Sequence, residues 1–263
     1  MRKIIQSWLA LFLLMQFAVA HAQIAEKVVD IPTRPGVTQR MLVLTPPMPK
    51  AVVILFTGGN GGLQISSDAT LRSGKTNFLI RNRQSFASRD LMVVVVDAPS
   101  DRQNPPYLAG FRQTQEHVTD IQAVIAWIRG QTKVPVWLIG TSRGTQSTAY
   151  IATKLDAPDG PDGLVLTSTI VTDDTGIAVP AMQLENIRIP VLVVHHEQDG
   201  CKHCAFAGAS AMMEKFSATQ RKQLLSFTGG NSSGNPCEPQ SYHGFSGLDA
   251  EVVGQIADWI FAK

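Results

Sequence analysis

The chain has 263 residues, of which 44% are hydrophobic and 17% charged, with a formal net charge of +2. That length can bury a full core within one domain. Lys and Arg are scattered rather than clustered, which argues against a nucleic acid or other polyanion as partner, and no internal repeat, heptad run or low-complexity tract interrupts the sequence.

The first 22 residues have the form of an export signal. Arg2 and Lys3 precede an apolar run from Leu9 to Met15, and Ala20-His21-Ala22 fits a small-x-small cleavage site, so Gln23 is expected to begin the mature protein. The apolar run is short for a spanning helix and no Cys follows the site, so no stable membrane anchor is expected. Losing Arg2 and Lys3 brings the 23 basic residues level with the 21 acidic ones. A secreted or periplasmic protein with a single domain over 23–263 is the expectation.

Residues 27–31 and 40–44 are short β-like runs, and Pro32, Pro35 and Gly36 between them predict a hairpin. Six apolar runs without alternation follow, at 51–56, 92–96, 135–139, 163–166, 190–194 and 223–227. Unbroken Val/Ile/Leu runs of this length suit strands covered on both faces, as in a parallel sheet. Between them lie segments with helical spacing at 78–88, 115–129, 142–154, 205–217 and 249–261; the clearest stripe is Val118, Ile121, Val124, Ile125 and Ile128. Alternating strand and helix predicts a mostly parallel, doubly wound α/β sheet with helices on both faces. Ligands in such sheets bind beyond the carboxyl ends of the strands.

At one of those ends stands Gly140-Thr141-Ser142-Arg143-Gly144, a Gly-x-Ser-x-Gly motif between a strand and a helical segment. The spacing makes a sharp, strained turn that lifts the hydroxyl above the sheet, while the flanking glycines let backbone and helix approach closely. A helix N-terminus beside the Ser also favours developing negative charge. With this motif in this setting, the chain resembles the α/β hydrolase superfamily over nearly all of residues 23–263. The resemblance implies Ser142 as nucleophile, with an acid and a His later in the chain.

A Ser hydroxyl needs a base, and imidazole suits the task near neutral pH. Among six His, His21 leaves with the signal, His117 is expected to be solvated on its helix, His195 and His196 end a strand, and His203 lies in a Cys-containing turn. His243, after the last strand and before the last helix, occupies the superfamily's position for the base. Asp199, following the strand at 190–194, occupies that of the acid. Glu197 comes two residues too early; Asp173 and Asp174, after the preceding strand, are the competitors. The family's oxyanion donors would be the amide of Arg143 and one from Thr57-Gly58-Gly59-Asn60-Gly61-Gly62, with Gly59 favoured and Asn60 next. Contact with substrate and a structural role both remain open for His195 and His196.

Three cysteines in an oxidising compartment predict one disulfide and one free thiol. Cys201 lies two residues after Asp199 and Cys237 six before His243, so Cys201 to Cys237 is the expected bond, tying the acid loop to the base loop. Cys204 to Cys237 is the alternative. Cys201-Lys202-His203-Cys204 also matches a redox Cys-x-x-Cys, but it falls late in a long sheet rather than at the first helix of a small domain. A metal held by these cysteines with His195, His196 or His203 lacks paired Cys-x-x-Cys spacing. No metal and no cofactor are expected.

The function implied is acyl transfer on a small or extended ester-like substrate, most simply by a carboxylesterase. The stretch 166–190 leaves little room for a large cap, so an open site is expected. An amidase or peptidase using the same triad, and a non-catalytic binding protein on the same fold, are the alternatives. Residues 99–114 have a mixed, Pro-containing composition expected at the rim of the site, and no role is assigned to them.

Overall fold

The computed structural model describes residues 23–262; the proposed signal segment at 1–22 lies outside the described residues. The chain enters as a hairpin of β1 (Glu26–Arg34) and β2 (Val37–Leu44), longer than the predicted runs. Pro32 is accommodated because β1 is an edge strand, and the register slips between Pro32 and Arg34. The strands β3 (Ala51–Phe56), β4 (Leu91–Val96), β5 (Val136–Thr141), β6 (Gly163–Thr167) and β7 (Val191–His196) are buried along their whole length. This is the burial that their unbroken apolar runs predict. β8 (Lys222–Phe227) forms the opposite, more exposed edge.

The eight strands lie in the order β1-β2-β4-β3-β5-β6-β7-β8, parallel from β4 onward and antiparallel through the hairpin. Alternate side chains of each strand feed two cores. Val52, Ile54 and Phe56 pack with α3 (Gln115–Gln131), α4 (Gly144–Ala152) and α5 (Phe206–Met212) on one face. Val53 and Leu55 pack with α1 (Phe78–Arg81), α2 (Arg83–Ala87) and α6 (Asp249–Phe261) on the other. Each fully buried large aliphatic side chain contributes about 1.5–3 kcal/mol by leaving water. No helix among the described residues is long and apolar enough to cross a membrane.

The predicted helix over 78–88 is two helices, broken at Asn82, whose side-chain amide donates to Phe78 O at 2.9 Å and to Asp249. Such side-chain bonding to nearby backbone competes with helix continuation. The one predicted over 142–154 starts only at Gly144, because Ser142 sits at φ 51°. Between β6 and β7 there are two short 3₁₀ turns and no cap domain.

Because β4 flanks β3 on one side and β5 on the other, the sheet reverses its winding at β3. The crevice beyond the carboxyl ends of β3 and β5 is therefore where this architecture binds ligands. The loop 57–62 and Ser142 flank it.

Candidate active site

Ser142 occupies the left-handed region, which for a non-glycine residue costs of order 1–3 kcal/mol and persists only where the surroundings impose it. Here they do. A Cβ at Gly140 would come within 2.6 Å of Gly144 O, and one at Gly144 within 2.1 Å of Phe56 O. Both glycines of the motif are thus required for helix α4 to close onto the sheet. Ser142 N donates to Thr167 O at 3.0 Å, and Thr145 Oγ1 donates to Ser142 O at 2.6 Å, fixing the turn from both sides. From the loop after β3, Gly58 presses against it: a Cβ there would lie 2.9 Å from that of Ser142.

His243 sits on a short turn, Tyr242–Gly244, capped by Ser241, whose Oγ accepts from His243 N. The Ser168 hydroxyl donates to His243 O at 2.6 Å. Asp199 and His243 are both buried, and the ring Nδ1 lies 2.9 Å from Asp199 Oδ2. The second carboxylate oxygen accepts from Cys201 N at 2.9 Å. This arrangement leaves Nε2 as the nitrogen turned to other work. Ser142 and His243 line one cavity of about 280 Å³ together with Gly58, Gly59, Phe78 and Cys237.

Cys201 is bonded to Cys237, and Cys204 is a buried free thiol. The Cys-x-x-Cys pair is therefore not a dithiol. Donor atoms of Cys201, Cys204 and His243 lie within 4.8 Å of one another, but the first sulfur is in the disulfide. Burial, helped by the charge of Asp199, holds the Cys204 thiol protonated far above its ordinary range. These atoms make a poor ligand set for a metal ion.

The competing carboxylates go elsewhere. Asp173 binds the Arg143 guanidinium at 2.8 Å and Gln146 Nε2 at 2.7 Å. Burial opposes its ionisation, yet those bonds and the Thr175 amide hold it well below the usual carboxylate range. Asp174 is exposed, and Glu197 is exposed and accepts from Ser226. Neither histidine of the pair at the end of β7 is exposed. His195 Nε2 accepts from Thr169 N at 3.0 Å. His196 accepts from Gln198 N at Nδ1, so its Nε2 donates to Gly229 O, and its ring stacks on Tyr242 at 4.3 Å. Both hold loops next to His243.

The expectation of a solvated His117 is wrong. It is buried between Phe56 and Phe111, with no hydrogen-bond partner at either ring nitrogen. Burial, with the charges of Arg112 and Arg34, pushes its pKa down to about 3.

The segment 99–114, to which its composition assigns no role, has one in the structure. Arg112 is buried and reaches under the loop after β3, donating from Nη2 to Thr57 O and Gly59 O and from Nη1 to Ser147 Oγ. Tyr107 lies so close over Gly62 that a Cβ there would be 2.3 Å from its ring, and Leu108 N donates to Asn60 O at 2.9 Å. Burial, and then the charge of Arg143, lowers the Arg112 pKa to about 9. No motif marks this arginine in a single sequence.

No protein-family model and no curated protein matches the chain. Solved structures do match. The chain is similar to an esterase of Pyrococcus furiosus, with TM-score 0.64 and 12% identity, covering 90% of this chain and 92% of that one. It is similar to an α/β serine hydrolase homologue from Coxiella burnetii, with TM-score 0.62 and 16% identity over 90% and 97%. A Xanthomonas campestris protein described as an α/β serine hydrolase without lid matches with TM-score 0.59 and 15% identity over 91% and 94%. The chain has the α/β hydrolase fold, and its described residues include no cap domain.

Proposed function

We propose that the protein is an exported serine hydrolase that cleaves an ester-like carbonyl through an acyl-enzyme at Ser142. One observation carries this reading: the buried Asp199–His243 pair, 2.9 Å apart, opens onto the same cavity as the strained Ser142. Strain kept at a reactive residue fits a functional turn better than a structural one.

In this mechanism Ser142 Oγ attacks the carbonyl carbon while His243 Nε2 takes its proton. Asp199 fixes the ring through Nδ1 and stabilises the imidazolium. The oxyanion is held by the amides of Arg143 and Gly59; neither amide has a partner among the backbone hydrogen bonds. His243 then returns the proton to the departing alcohol, and water, deprotonated by His243, releases the acid. A cavity of about 280 Å³ that is open to solvent favours short or extended esters, and a carboxylesterase is the simplest member of this class. The Cys201–Cys237 bond supports an oxidising compartment.

The test compares fluorophosphonate labelling and hydrolysis of short-chain aryl esters by the processed protein and its Ser142→Ala variant. Labelling and turnover confined to the wild type are expected. Equal, near-zero signals in both would remove the hydrolase reading in favour of a binding protein on this fold. N-terminal sequencing of secreted material should begin at Gln23.

A further inference from the structure

A second cavity of about 380 Å³ lies between the segments that follow β4, β5 and β6, walled by Arg112, Gln113, Arg143, Gln146, Asp173 and Ile177 among others. It adjoins the site on two sides. Arg143 follows Ser142 in the chain, and Arg112 is hydrogen-bonded to the carbonyl of Gly59.

Its charges do not balance. Two guanidinium groups face one carboxylate, since Asp173 is the only acidic residue in the wall and Asp174 is exposed outside it. Asp173 is committed to Arg143 through both its oxygens. Arg112 has only neutral partners, two carbonyls and a hydroxyl. A cation buried without a counter-charge is costly, and its lowered pKa is consistent with that environment.

The unused hydrogen-bonding capacity is also of one kind. The amides of Gln113 and Gln146 are taken up by Ile177, Asp173 and Arg143. A guanidinium carries five N–H donors. Arg112 uses three, leaving Nε–H, which is buried without a partner, and one on Nη1. Arg143 likewise uses three, leaving Nε–H and one on Nη2. The donors left on Arg112 Nη1 and on Arg143, two cations in the wall of a cavity with a net positive charge, match a planar anion with paired acceptor oxygens.

We propose that this cavity is an anion subsite that takes a carboxylate carried by the substrate beyond its scissile carbonyl. The identity of that substrate as an ester rests on the hydrolase reading above; the subsite itself does not. Ile177 stands at the cavity's rim and is 46% exposed, so it can be changed with little effect on the fold.

The experiment compares p-nitrophenyl butyrate with two carboxylate-bearing esters, the mono-p-nitrophenyl ester of glutaric acid and the butyryl ester of 4-hydroxybenzoate. Wild type, Ile177→Gln and Ile177→Glu are assayed, and glutarate binding to the Ser142→Ala protein, with and without Ile177→Glu, is measured by calorimetry. Wild type and Ile177→Gln should show a KM at least tenfold lower for one of the carboxylate-bearing esters. Ile177→Glu should abolish that preference while leaving p-nitrophenyl butyrate turnover unchanged, and should weaken glutarate binding at least tenfold. Turnover of all three esters without preference, or glutarate binding indifferent to Ile177→Glu, overturns the subsite and leaves the hydrolase intact. If no ester is cleaved but glutarate binds and is lost with Ile177→Glu, the subsite stands and the hydrolase reading falls.

Discussion

Arg112 donates from Nη2 to the carbonyl oxygen of Gly59 at 3.2 Å, and the same nitrogen holds Thr57 O at 3.1 Å. One buried side chain therefore fixes two peptide planes of the turn that faces Ser142. In Arg112→Met both carbonyls lose their donor, and the amide of Gly59 is no longer held in place. Displacing a positioned group by an ångström can cost on the order of 100-fold in rate. We expect kcat on p-nitrophenyl butyrate to fall by about 10- to 100-fold with KM within about twofold, and Arg112→Lys to recover only part of it, because a single ammonium cannot span three acceptors. A rise in KM at constant kcat would show that Arg112 serves ground-state binding instead.

Asp199 and Asp173 separate cleanly by partner, His243 for one and Arg143 for the other. Asp199→Asn leaves the shape but removes the charge that stabilises the imidazolium, and turnover should drop by roughly 10⁴-fold. Asp173→Asn should cost less than about tenfold. Steady-state kinetics on the same neutral ester decides, and the reverse ranking would move the acid to the end of β6.

The Cys201–Cys237 bond closes 36 residues of chain. On the chain-entropy account such a loop is worth about 3–4 kcal/mol. Urea unfolding of Cys201→Ser/Cys237→Ser should show that loss, whereas Cys204→Ser, which breaks no bond, should not. Equal stability of the double variant and wild type would mean that the bond holds nothing that packing does not.

His117 makes acid stability measurable. Its native pKa is about 3, against 6.5 for the free side chain. Below about pH 6.5 the unfolded chain takes up a proton that the native state refuses, so stability declines from there toward pH 3, by about 1.4 kcal/mol per unit. Between pH 7 and pH 5 the wild type should lose about 2 kcal/mol more than His117→Phe, whose ring would sit among Phe56 and Phe111. Parallel losses in chemical denaturation at the two pH values would rule out this residue as the source.

Much of this architecture is written in local pattern. The run Ala51–Phe56 and the stripe of α6 reproduce their predicted bounds, because unbroken apolar sequence and 3.6-residue spacing report burial directly. The Gly140–Gly144 motif is legible for the same reason: its glycines answer a steric demand that any similar turn makes. The burial of His117 does have a signal in the sequence. It lies four residues before Ile121 and seven before Val124, on the buried stripe, and that position outweighs the general preference of imidazole for water. Arg112 left no such trace. Its partners are backbone carbonyls 53 and 55 residues away, and carbonyls are present at every position of every sequence. The break at Asn82 depends likewise on Asp249, 167 residues on.

The bond between Cys201 and Cys237 also changes what a cut in the chain can do. The exposed stretch 229–236 is the kind of loop that proteases nick, and a single cleavage there falls inside the covalent ring. The piece carrying His243 and α6 would then remain attached to the piece that carries β7 and Asp199. Cleavage at this loop should leave a two-chain protein that separates only under reducing conditions.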